Sequence, residues 1–193
     1  MIDQFAAAVE QNPDFAVLRA AVAYYFCEVG RLEDAHAILH AEHAAGFRAI
    51  PYDINWTTGM TFFADCAAAI GDEDAAVAIR AQLAPFAHAQ AYNGLTSLGA
   101  LGRPVGRLDL LLGDFDIADG HFRAALELNA KLRAPYPTAR TQLDYAELLL
   151  RRPAPDHAAA AALARDAAAT SGSHGYGALE QRARTLLDAI GAG

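Results

Sequence analysis

One phrase returns four times along this chain, about forty residues apart. Ala35-x-x-x-Leu39 follows Gly30, Ala75-x-x-x-Ile79 follows Gly71, and Ala118-x-x-x-Phe122 follows Gly113. Ala159-x-x-x-Leu163 follows the Pro153–Pro155 break. The alanines are 40, 43 and 41 residues apart. A period of this length marks a stack of helix pairs, in which each pair buries its apolar face against the next. Small residues let the helices approach, and a large apolar residue one turn on fills the groove between them.

The breaks between the phrases divide the chain. Residues 2–11 read as an entry helix ended by Asn12-Pro13, with Pro13 suited to open the next helix because its missing N–H would be unpaired there. Four pairs follow, near 14–46, 54–88, 103–133 and 138–170. In the first, Phe15, Leu18, Val22, Tyr25, Phe26 and Val29 recur at helical spacing, and Gly46 is a C-cap. Pro85 ends or kinks the second pair. The Gly/Ser/Thr-rich stretch 93–102 reads as the longest and most mobile connection. Residues 171–177 read as a loop. An amphipathic helix over 178–190 presents Leu179, Ala183, Leu186, Leu187 and Ile190, and caps the stack. No segment alternates with the period of a strand, so almost no sheet is expected. The expectation is a single all-α domain over 1–193.

Composition narrows the function classes. Hydrophobic residues make up 54% of the chain, but no apolar run reaches the roughly eighteen residues a membrane span needs. The net charge of −8 argues against nucleic-acid binding by this chain alone, since phosphate contacts need clustered Lys and Arg. Asp3 follows Met1 closely and no basic n-region precedes an apolar stretch, so no signal peptide is read. Cys27 and Cys66 fall on different helices in apolar patterning and read as free buried thiols. A cytoplasmic location and no membrane contact are expected.

The third pair matches the tetratricopeptide pattern best: Gly106, Gly113, Ala118 and Phe122 stand at its small, turn, small and aromatic positions. The pattern's usual tryptophan and tyrosine are absent, and the period exceeds its standard 34. More specific are Trp56, Pro85-Phe86-Ala87, Gly106-Arg107-Leu108, the run His121–Asn129 and the run Ala139–Ala146. This combination resembles the C-terminal helical-repeat region of large bacterial ATPase-type transcriptional regulators, of the LuxR type and related adenylate/guanylate-cyclase-like proteins, common in actinobacteria. The resemblance covers about residues 50–190. It implies a tetratricopeptide-like right-handed superhelix of antiparallel helix pairs, acting as a sensor or interaction arm in signalling and transcription regulation. The nucleotide- and DNA-binding modules of that family have no counterpart here, and no Gly-x-x-x-x-Gly-Lys-Ser/Thr loop occurs.

In tetratricopeptide arrays the first helix of each pair lines the concave face. By that analogy the groove carries Tyr24, Thr61, Asp65, Arg103, Arg107, Arg140 and Asp144. Arg103 and Arg107, at i and i+4, suit a carboxylate or phosphate. The opposing reading is ordinary surface ion pairs, with Arg140 and Asp144 themselves a good i, i+4 pair. His36, His40 and His43 share one helix face, but three ligands from one straight helix seldom surround an ion; they read as a polar stripe, and no metal or cofactor is expected. Trp56 reads as core, against Phe62 or Phe63, rather than as an interface anchor. No nucleophile–base set has local motif support, so the chain reads as no enzyme. The expected function is protein or peptide interaction, or sensing of a small anionic ligand, through the groove. The alternative is a stand-alone small-molecule binder using the groove as a pocket.

Overall fold

A computed structural model describes residues 2–12 and 16–191. Pro13 and Phe15 lie outside the described residues. The chain is helical almost throughout. An entry helix α1 (Ile2–Glu10) precedes four helix pairs: α2 (Ala16–Glu28) with α3 (Leu32–Ala44), α4 (Trp56–Ile70) with α5 (Glu73–Leu83), α6 (Gly102–Leu111) with α7 (Phe115–Lys131), and α8 (Pro135–Arg151) with α9 (His157–His174). A last helix, α10 (Gly177–Gly191), packs on α9. Each pair also leans on the next, α2 on α4, α4 on α6 and α7 on α8.

The turns show why the pairs form where they do. Gly30, Gly71 and Gly113 each have φ near +80°, a conformation that glycine enters without a Cβ penalty. In the Gly71 turn the next helix starts at once, and the Asp72 carboxylate accepts from the Ala75 N–H. Asp156 does the same for Ala159 in the fourth pair. The fourth residue of each second helix is a fully buried alanine, Ala35, Ala76, Ala118 and Ala160, at intervals of 41, 42 and 42. The structural repeat is therefore more regular than the phrase that announced it. In the second and fourth pairs the phrase is one residue out of register; Ala75 and Ile79 are buried nonetheless, but Ala159 and Leu163 are half-buried, while Ala160, Ala164 and Ala167 form the buried stripe.

Two segments differ from expectation. The stretch 93–102 is not wholly irregular. It forms the second half of a small antiparallel hairpin, β1 (Gln90–Tyr92) with β2 (Ser97–Ala100). The turn is closed by Asn93, whose Oδ1 accepts from the backbone N–H groups of Leu95 and Thr96. The hairpin is anchored because the Ala100 N–H donates to Asn129 Oδ1 of α7, and Asn129 Nδ2 donates to Thr141 Oγ1 of α8. The second difference lies at 171–174, which continues α9 and ends at Gly175 in the left-handed region. Pro85 sits in a 3₁₀ turn (Ala84–Phe86) that follows α5, and Pro135 opens α8 at its first turn. Leu179 and Ala183 of α10 are buried, with Leu186, Leu187 and Ile190 packed against the same clusters.

Trp56 is core, but its ring meets Phe86 edge-on at 5.5 Å and Tyr52 at 4.8 Å. Phe62 instead stacks on Tyr24, and Phe63 packs against Phe47. The face of Gly106 lies against the Phe122 ring, where a Cβ would come within 3.2 Å. No helix among the described residues is long and apolar enough to cross a membrane.

Candidate functional site

The first helices of the four pairs meet, together with α10, around a buried ion cluster. Asp65 of α4 is at its centre, 2% exposed. Arg103 of α6 reaches it with two bonds of 2.8 Å, one to each carboxylate oxygen. Arg107 Nη1 donates to Oδ1 at 2.9 Å, and Arg140 Nη2 of α8 donates to Oδ2 at 3.0 Å. Arg103 also donates to Asp144 Oδ2 at 3.1 Å, and so bridges the two carboxylates. Arg182 of α10 holds the other oxygen of Asp144 at 2.8 Å and lies 3.5 Å from Glu147. Four guanidiniums thus serve two buried aspartates.

The repeat builds this cluster. Asp65 and Arg103 are 38 residues apart, Arg103 and Asp144 are 41, and Asp144 and Arg182 are 38. Counted back eleven residues from the buried alanines Ala35, Ala76 and Ala118, Tyr24, Asp65 and Arg107 hold the equivalent point, and Arg103 lies one turn earlier on α6. Tyr24, 41 residues before Asp65, holds the same point in the first pair. It is half-buried, and its ring lies 5.5 Å from the Arg140 guanidinium.

Burial alone would favour the neutral form of both aspartates. The guanidiniums outweigh it. Arg103 and Arg140 hold the Asp65 carboxyl far below the usual carboxylate range, and Arg182 and Arg107 do so for Asp144. For Arg107 and Arg140, burial works against the charge, but the facing carboxylates more than restore it and raise both. Burial pushes the Tyr24 hydroxyl up, against the pull of Arg140.

Beside the cluster lies a cavity of about 270 Å³. Tyr24, Cys27 and Glu28 of α2, Asp65 and Ala69 of α4, Arg107 of α6, Tyr136 and Arg140 of α8, and Ala178, Leu179 and Arg182 of α10 line it. Three guanidiniums and two carboxylates line it, and Arg182 is also paired with Asp144 and Glu147, so charges of both signs meet at the wall.

The structure brings six of the seven groove candidates into one cluster and separates their roles. Tyr24, Asp65, Arg107 and Arg140 line the cavity. Arg103 stands behind it at 1% exposure with both Nη groups engaged by carboxylates, and its buried Nε has no partner. Asp144 is equally buried. Thr61 does not line the cavity; its hydroxyl donates to the Thr57 carbonyl one turn back. Arg140 and Asp144 make no local i, i+4 hydrogen bond: Arg140 turns to Asp65, and Asp144 to Arg103 and Arg182, because the neighbouring helices offer fully buried partners. Of the expected Arg103/Arg107 pair, Arg103 is enclosed, and the guanidiniums that line the cavity are those of Arg107, Arg140 and Arg182.

Arg182, Glu28 and Tyr136 were not singled out from the sequence. For Arg182 a signal existed, since it follows Asp144 by the interval that separates Asp65 from Arg103. The histidine stripe is dispersed in role. His36 and His40 have ring centroids 5.9 Å apart, and His43 stacks on Phe47. Among the described residues no group of histidine, cysteine and carboxylate side chains is placed to hold a metal ion. No family model, no curated protein and no solved structure matches the chain.

Proposed function

We propose that this chain is a non-catalytic, tetratricopeptide-like superhelical module that binds an anionic group of a protein or peptide partner through its inner face. The carrying observation is the cavity walled by three guanidiniums, those of Arg107, Arg140 and Arg182, from three different helices. A volume of about 270 Å³ suits one acidic side chain or a chain terminus. Asp65 and Asp144 fix the guanidiniums in place before anything binds, which lowers the ordering cost of binding. Arg182, with 39% of its side chain exposed, is the accessible arm of the site.

A cytoplasmic place in a bacterial regulatory protein, in signalling or transcription control, is the setting proposed for this module. The residues Trp56, Pro85-Phe86-Ala87, His121–Asn129 and Ala139–Ala146 support it by their resemblance to the repeat arms of such regulators. A second reading is a pocket for a small anionic metabolite, favoured by the buried polar groups Asp65 and Arg140 on the cavity wall.

Fluorescence anisotropy with matched acidic and basic peptides, and thermal shift with phosphate and di- and tricarboxylates, separates these. The acidic peptide is expected to bind, more weakly as salt rises, and Arg182→Ala to weaken it about three- to tenfold, as a partly exposed charged contact should. Binding of the small anions alone favours the second reading. Equal binding of acidic and basic peptides, unaffected by Arg182→Glu, overturns both.

A further inference from the structure

The cavity wall also holds a thiol that anion binding does not use. The chain has two cysteines, and both are free. Cys27 is half-buried on the cavity side of α2, and Cys66 is completely buried on α4, next to Asp65. The two helices pack directly against each other. Cys66 lies in the core cluster that the two helices share, and Cys27 packs onto that cluster. The two are therefore unequal in access: a solute in the cavity meets Cys27, and Cys66 lies behind it.

Their electrostatics are unequal in the same sense. Hydrogen bonding with Cys66 lowers the Cys27 thiol, with Arg107 adding to the effect and burial, Asp65 and Glu28 opposing it. Hydrogen bonding with Cys27, together with burial, pushes Cys66 up. An accessible thiol that ionises more readily, beside a buried one that does not, is the division of labour of an attacking and a resolving cysteine.

We propose that Cys27 and Cys66 form a reversible intramolecular disulfide on exposure to a peroxide, tying α2 to α4 at the cavity wall. The Cys27 thiolate attacks one peroxide oxygen; the S–O bond forms, the O–O bond breaks, and the departing hydroxide takes a proton to become water. The Cys66 sulfur then attacks the Cys27 sulfenic sulfur; the S–S bond forms, the S–O bond breaks, and the hydroxyl leaves as a second water with the Cys66 proton. Two thiols and one hydrogen peroxide give one disulfide and two waters. A dithiol reverses the step by exchange. Disulfides that form inside cells are mostly transient and redox-sensing, which is the role assigned here. The inference rests on the placement of the two thiols and is independent of the anion reading.

The test treats the reduced, full-length chain with a small molar excess of hydrogen peroxide and measures intact mass without reductant. The expected product is a monomer lighter by about 2 Da, the two hydrogens lost in disulfide formation. Tryptic digestion should link the peptide 20–31 to the peptide 49–80, which carry Cys27 and Cys66, and dithiothreitol should release them. In Cys66→Ser, Cys27 should stop at the sulfenic acid and be captured by dimedone. Because Cys66 is buried and that variant can fail to fold, the wild-type chain alone suffices to decide. Persistence of two alkylatable thiols, advance of Cys27 to the sulfinic acid without a disulfide, or linkage only between molecules would each overturn the proposal.

Discussion

Asp65 accepts hydrogen bonds from three guanidiniums, and those three arginines have few other partners of comparable quality. Removing the charge leaves Arg103 and Arg140 buried with a fraction of their compensation. Unbalancing a buried pair in this way costs about 3–5 kcal/mol, more than the pair itself contributes over an apolar substitute. Asp65→Asn is therefore expected to lower the unfolding free energy by that amount, read as a lower urea midpoint at unchanged slope. Arg182→Ala is expected to cost less than Asp65→Asn, because Arg182 is itself partly exposed and buried Asp144 keeps Arg103 and Arg107 as partners. Equal losses for the two variants would contradict the ranking of the cluster from centre to rim.

The hairpin and the third pair both depend on small residues. Gly99 has φ of 86°, and a Cβ there would stand 2.3 Å from the Pro137 Cβ and 2.9 Å from Asn129 Oδ1. Gly99→Ala thus combines a strained backbone with a clash against the Asn129 bond that docks the hairpin, and is expected to cost about 2 kcal/mol or more. Hydrogen exchange should show the loss concentrated at residues 90–100. Ala118 is fully buried in the cluster that contains Phe122, whose ring packs on Gly106. Ala118→Leu is expected to cost about 1–3 kcal/mol by overpacking, read from chemical denaturation. The helix pairs were legible because glycine turns, N-cap aspartates and apolar spacing all act locally. The hairpin was not, because strands of three and four residues are too short to show an alternating period. Its stability comes from Asn129, some thirty residues away.

Across the molecule, the ion cluster joins the second, third and fourth pairs to α10, so its titration acts on the whole stack. Both aspartates have folded-state pKa values below the ordinary 3.8. The unfolded chain therefore binds more protons in acid, and the stabilisation they contribute is complete above the ordinary aspartate range and is lost as pH falls below it. Wild-type stability should decline on acidification below about pH 5, with each carboxylate contributing up to about 1.4 kcal/mol per pH unit. Asp144→Asn should start less stable and decline less steeply over the same range, as followed by denaturant midpoints at successive pH values. A slope identical to wild type would remove Asp144 from the account. Of the site itself, the sequence placed Tyr24, Asp65, Arg107 and Arg140 on a shared inner face through the repeat. It could not tell that Arg103 would be enclosed, since enclosure depends on how closely α4, α6 and α8 approach.

The sequence by itself determined the helix pairs, their turns and the forty-residue rhythm, because capping, glycine φ and apolar spacing are settled between residues a few positions apart. It also determined which residues fall at equivalent points of successive units, since period alone sets that. Only the tertiary structure decided which guanidiniums meet Asp65 and which face the cavity. It also decided that Arg140 forsakes its neighbour Asp144 for a carboxylate 75 residues away. The reason is desolvation: a local pair on an exposed helix is worth a few tenths of a kcal/mol. A charge enclosed by stacked helices must find its partner wherever packing places it.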